Sequence, residues 1–311
     1  MPRTKSFGAL DLGTWVHTGF QGWYVVGSKR QGELADHFTI AADAAIADAE
    51  RAGAPDYEIE KAEELAVLGE AMCKAYAAHY ENDKDVIVVA TEIPLEFTFP
   101  DHRGRLAAKH LLKPDMVYQK KSTGTFHLME NKTAASLGRT EHLVIDDQAR
   151  PYGAMAERAL REKGVIGRKD QIYGITYNFL RKAFQDDRLK DNEGRSLNRN
   201  GTVSKKQPAP TFLRKEVTLT PVAKRLSLRR IQRETLMITA VAQEIRDRTL
   251  DPALLDKTPH LSCPRFCDYF AMCASEESGG DVSTFENTMY TRQNPYDYPD
   301  STEEIKSFEM G

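Results

Sequence analysis

Residues 114–132 read PDMVYQKKSTGTFHLMENK, and this stretch, from Pro114 to Lys132, decides the fold class. Segments 115–119 and 125–131 carry Val, Tyr, Phe and long apolar residues and read as a pair of antiparallel strands. The intervening KSTGT supplies a glycine-containing turn. Side chains alternate along a strand, so Glu130 and Lys132 share one face. A hairpin brings Asp115 beside them. Two carboxylates on one face hold a hard divalent cation through oxygen. Such a cation polarises a phosphodiester and lowers the pKa of a bound water. A lysine alongside orients that water or steadies charge developing on the phosphate. A Glu-x-Lys tripeptide alone is weak, since most lie on solvated surfaces. Here it closes an apolar strand, with Pro-Asp upstream across a turn.

Working outward, residues 8–29 read as a helix carrying Leu10, Trp15, Val16, Phe20 and Tyr24, ended by Gly27. Residues 41–50 and 57–80 read as two more helices. The period then changes: 85–91 is rich in Val and Ile and 94–99 alternates, so both read as strands. Downstream, 141–163 reads as a helix that Pro151 kinks. Residues 171–180 read as a buried strand, 190–210 as a mobile polar loop, 213–220 as a short strand and 221–249 as a basic helix. From residue 250 the chain is Cys-bearing and then loop-like. This order predicts an α/β core, a sheet with helices on both faces.

Pro114-Asp115 followed by Glu130-Asn131-Lys132 resembles the PD-(D/E)XK nuclease signature. Downstream, Gln148-Ala-Arg-Pro-Tyr152 resembles the QxxxY motif of the RecB-like branch, which includes phage recombination exonucleases and CRISPR-associated RecB-family exonucleases. On a helix, Gln148 and Tyr152 would share a face. Gly13-Thr14-Trp15-Val16-His17 resembles the GxxxH helix of that branch, whose histidine is a metal ligand. The resemblance implies a restriction-endonuclease-like core with a central mixed sheet flanked by helices. It implies Asp115, Glu130, Lys132, Gln148 and Tyr152 as catalytic residues. It further implies Mg²⁺ or Mn²⁺ held by His17, Asp115, Glu130 and the Asn131 carbonyl. Glu92, at a strand end before the signature, is an outside candidate for the site. Asn178, Arg181, Lys182 and Arg214 are candidates for DNA contact, where charge and hydrogen bonds hold phosphates; exposed charges at strand ends are the equally weighted alternative.

Cys263, Cys267 and Cys273 form a C-x3-C-x5-C cluster. The first 15 residues, MPRTKSFGALDLGTW, lack the apolar core of a secretory signal. The expected location is therefore the cytoplasm, of the bacterial host if the chain is phage-encoded. Thiols stay reduced there, so a tight cysteine cluster points to metal. In the resembling family such spacing supplies the last three ligands of a [4Fe–4S] cluster. The first ligand of that family precedes the GxxxH helix, and no cysteine precedes His17 here. Cys73 is the remaining cysteine; as a small apolar residue on a helix face it reads as core, with a ligand role the alternative. Zinc, a non-cysteine fourth ligand and loss of the cluster stay open.

Charged residues make up 29% of the chain and hydrophobic residues 41%, a globular and not a disordered balance. No apolar run approaches the roughly 20 residues of a membrane helix. The net charge of −3 hides an asymmetry, with nine Lys/Arg against one acid over 201–233 and nine acids against two Lys/Arg over 274–311. The expected organisation is a nuclease core over 1–250, a cysteine segment over 251–275 packing on it, and an acidic tail over 276–311. The expected partners are DNA and recombination proteins, with no membrane, and oligomeric state is left open. The leading expectation is a DNA exonuclease in phage or bacterial recombination and repair. A catalytically silent DNA-binding scaffold and a CRISPR-adaptation nuclease are the alternatives.

Overall fold

The computed structural model describes residues 7–80, 83–101, 103–138, 140–144, 149–251, 254–255, 257–260, 263–267 and 269–289. Gln148 and the part of the acidic tail from 290 onward lie outside the described residues. The chain divides into two compact units, residues 1–246 and 247–311.

In the first unit, three helices lead: α1 (Ala9–Trp23), α2 (Leu34–Arg51) and α3 (Asp56–His79). In α1, Leu12, Trp15, Val16, Gly19, Phe20 and Trp23 are buried, the spacing of one helix face. At Gly69 of α3 a Cβ would collide with the Phe38 ring and stand 2.8 Å from Leu12 Cδ1, so the helices meet at that glycine. Helix α1 ends at Trp23, earlier than the sequence suggested. Gly27, at φ +106°, instead exchanges two backbone hydrogen bonds of 2.8 Å with Val88.

The strands are β1 (Val86–Thr91), β2 (Leu95–Pro100), β3 (Leu106–Leu112), β4 (Met116–Lys120), β5 (Phe126–Ala134), β6 (Ile172–Arg181) and β7 (Phe212–Thr218). Five of them form one sheet in the order β1-β4-β5-β6-β7, while β2 and β3 form a separate hairpin. All pairs are antiparallel except β5–β6. Parallel neighbours need a long crossover, and it carries helix α4 (Ala149–Glu162). Helix α5 (Pro221–Arg246) follows β7. One sheet face, with Met116, Tyr118, Met129 and Leu180, packs against α1–α3. The other face, with Val117, Leu128, Ile175 and Val217, packs against Met155, Ala156 and Leu160 of α4 and against Phe97 and Phe99 of β2. This is the mixed sheet flanked by helices that the sequence implied.

Several local expectations change. Strand β3 went unread, because LAAKHLL alternates poorly. Residues 141–163 are not one kinked helix: Glu141–Val144 is a separate 3-10 turn. Pro151 falls in the first turn of α4, where backbone N–H groups have no helical partner to lose. The polar loop is folded into two tight turns by the bridges Lys190↔Ser196 and Leu197↔Val203. There the Gln207 side chain accepts from Ser196 N at 2.7 Å and donates to Ser204 O at 2.6 Å.

Among its described residues, the second unit has the short helices α6 (Cys263–Phe266), α7 (Phe270–Glu277) and α8 (Ser283–Met289). Lys257 pairs with Glu276 and Glu277, each at 2.7 Å. No described helix is long and apolar enough to cross a membrane.

Candidate metal centre

The β4–β5 hairpin positions the signature residues. Gly124 at φ +70° turns the chain, and Met116 pairs with Met129. Asp115 thus stands at the mouth of β4, next to Glu130. Its Oδ2 accepts from Asn131 N at 2.6 Å and lies 3.5 Å from His17 Nδ1. Glu130 Oε1 accepts from Lys132 Nζ at 2.7 Å. Antiparallel pairing of β1 with β4 sets the end of β1 beside Asp115. Glu92 is the residue delivered there. Its N–H donates to Asp115 O at 3.1 Å and its φ is +48°, a left-handed conformation costly for a side-chain-bearing residue. Ligand atoms of His17, Glu92 and Asp115 all lie within 4.8 Å of one another. Lys113 Nζ pairs with Glu92 Oε2 at 2.8 Å. The Lys113 N–H donates to Tyr152 Oη at 2.9 Å, so α4 anchors the approach to Pro114-Asp115.

The electrostatics fit a cation. Burial raises the carboxyl pKa of Glu92, against the pull of Lys113. Burial and then the Asp115 charge raise that of Glu130, against Lys132. Burial would lower the pKa of His17, but its hydrogen bond with Asp115 and the carboxylates of Asp115, Glu92 and Glu130 outweigh it and raise it. Burial and the same acids push the Tyr152 hydroxyl far up. An imidazole whose proton is held more tightly in spite of burial reports the negative charge of the acids around it. One imidazole nitrogen with carboxylate oxygens is a donor set suited to a divalent ion. The residues present therefore fit a metal ion. Glu92 is the member given least weight by sequence, and Lys113 was missed. The available signal was that an apolar strand, VIVVAT, ends at Glu92.

Two candidate DNA contacts engage protein groups, Asn178 fully buried and Arg214 partly so. Asn178 is fully buried; its Nδ2 donates to Asn131 Oδ1 at 2.7 Å and to Tyr76 Oη at 2.9 Å. Arg214 forks onto both oxygens of buried Asp83, donates to Asn178 Oδ1 at 3.1 Å and lies 3.7 Å over the Tyr80 ring. Burial would lower the pKa of its guanidinium, but Tyr76 and Asp83 outweigh it and raise it strongly. Asn178 has no surface to offer a phosphate, whereas the Arg214 side chain keeps 21% of its surface exposed. They hold Asn131, whose main chain holds Asp115. Arg181 and Lys182 are half-buried at the end of β6, and Arg181 Nε is buried without a hydrogen-bond partner.

The cysteines divide between the units. Cys73 lies in the first unit, fully buried in the core, and burial pushes its thiol up to about 12. Cys73 thus packs as a small core side chain. Cys263, Cys267 and Cys273 all lie in the second unit, with Cys267 N donating to Cys263 O at 3.1 Å.

No curated protein matches the chain. A family model for the PD-(D/E)XK nuclease superfamily matches residues 1–274. That span contains the mixed sheet, the β4–β5 hairpin with Asp115, Glu130 and Lys132, and the acidic centre beside them; the chain belongs to the PD-(D/E)XK nuclease superfamily.

Proposed function

We propose that this chain is a divalent-metal-dependent deoxyribonuclease that trims DNA from its ends. The observation that carries the reading is the grouping of His17, Glu92 and Asp115 beside the Glu130–Lys132 pair. Mg²⁺ or Mn²⁺, when bound, would polarise the phosphate and supply an activated water. His17, Glu92 and Asp115 would hold the ion, with Glu130 and the Asn131 carbonyl as the further ligands that the resemblance suggests. Lys132 supplies positive charge for the phosphate as water adds to phosphorus. The bond from phosphorus to the leaving sugar oxygen breaks, and that oxygen takes up a proton. Tyr152 positions Lys113 and, through it, the two acids on either side.

The finer part, a RecB-like exonuclease serving phage or bacterial recombination and repair, rests on the order His17, Asp115, Glu130, Lys132, Gln148, Tyr152 along the sequence. Recombination proteins would then be its partners. The test is cleavage of labelled linear and circular DNA with Mg²⁺ or Mn²⁺, with and without chelator. Linear DNA should be shortened, circular DNA left intact and chelator should stop the reaction. Cutting of circles overturns the end-directed part. Salt-sensitive binding without cleavage in either metal overturns the enzyme and leaves a DNA-binding scaffold. For the second unit, the reading is a metal site built on Cys263, Cys267 and Cys273, zinc or iron–sulfur.

A further inference from the structure

The parallel pairing of β5 with β6 sets an aromatic wall beside the reacting groups. Glu130 lies opposite Tyr177 and Lys132 opposite Phe179. The two rings are stacked, 6.1 Å apart with an interplanar angle of 18°. Tyr177 is 3% exposed and packs in the core, whereas Phe179 is half-buried. Both line a cleft of about 360 Å³ together with Lys132, Thr140, His142 and Leu143. Its volume is at the low end of small-molecule pockets, ~300–1,000 Å³, which suits one nucleotide. Phosphate contacts require cations and N–H donors; an aromatic ring adds nothing to them. A ring does offer a face to a nucleobase, and stacking of this kind tolerates any base. Bases inside a duplex are already stacked and cannot reach such a wall.

We propose that Phe179, backed by Tyr177, is a stacking platform for the nucleobase next to the scissile phosphate, and that the substrate is single-stranded DNA or an unpaired DNA end. This rests on the nuclease reading above. Phosphate over Lys132 and base over Phe179 would then be neighbours on one strand, matching neighbours on the sheet.

The experiment uses single-stranded oligonucleotides in which one abasic nucleotide is walked through the positions nearest the end. In the wild type, an abasic nucleotide at one position should raise KM by about tenfold or more. Phe179→Leu, which keeps apolar packing, should lose that discrimination, and Phe179→Trp should keep it. Blunt duplex should be cut more slowly than the same duplex with a mismatched end. Equal KM for every abasic position in the wild type, or discrimination retained by Phe179→Leu, overturns the platform. If the wild type cleaves nothing, the nuclease reading has failed. The same comparison is then read as Kd with Ca²⁺ present, where a loss of affinity at one abasic position in the wild type, absent from Phe179→Leu, upholds the platform and equal Kd overturns it.

Discussion

Asp115 stands where an imidazole, a second carboxylate and a main-chain N–H converge. Glu92 reaches this point only by adopting a left-handed backbone conformation. Glu92→Gln removes one anionic donor, so Mn²⁺ affinity measured by calorimetry should fall at least about tenfold. In metal-free protein the same change should raise Tm, because the charged form of Glu92 is disfavoured first by burial. Unchanged Mn²⁺ affinity would remove Glu92 from the site. The pH dependence follows from the raised pKa values of Glu92, Glu130 and His17. A group whose folded pKa is raised contributes stability below its unfolded value and loses it as pH climbs through the folded one. The acids therefore lose their contribution above the ordinary 4.5, and His17 above 6.5. Metal competes with these protons. The Tm increment from Mn²⁺ should grow as pH rises through this window; a flat or shrinking increment contradicts the charge assignment.

Between β5, β6 and β7, the chain Asp115–Asn131–Asn178–Arg214–Asp83 ties the catalytic strand to its neighbours and to the end of the α3 layer. Arg214→Ala leaves buried Asp83 without its guanidinium, still held by the Tyr24 hydroxyl. Denaturant unfolding should register a loss of about 3–5 kcal/mol; a loss within the range of a surface substitution would mean the network carries little. These elements also mark where sequence reading succeeds and fails. Asp115, Glu130 and Lys132 were legible because a hairpin is local: turn chemistry and alternation fix which side chains meet. Glu92 was half-legible, since its place depends on β1 pairing with a strand further along the chain. Asn178 and Arg214 were candidate DNA contacts by sequence, and the structure shows the protein groups they meet. The partner that buries Arg214, Asp83, is 131 residues away, and no local pattern announces it. Parallel pairing of β5 with β6, which sets Phe179 beside Lys132, is hidden for the same reason.

At the scale of the whole molecule, Cys263, Cys267 and Cys273 lie in one unit and Cys73 in the other. Zinc or iron content of anaerobically purified protein should be about one zinc or about four irons per chain. It should fall with Cys267→Ser and persist with Cys73→Ala. Metal-free protein, or loss of metal in Cys73→Ala, would contradict a metal site built on Cys263, Cys267 and Cys273 without Cys73. His17, Glu92, Asp115, Glu130 and Lys132 all lie in the first unit, and on the proposed reading cleavage should follow the acids and lysine of the hairpin. The direct measurement is cleavage of end-labelled linear DNA with Mg²⁺ by wild type, Asp115→Ala and Lys132→Ala, each matched for Tm. The expected result is a fall of at least about a hundredfold in both variants. Undiminished cleavage by both would contradict the assignment of this centre.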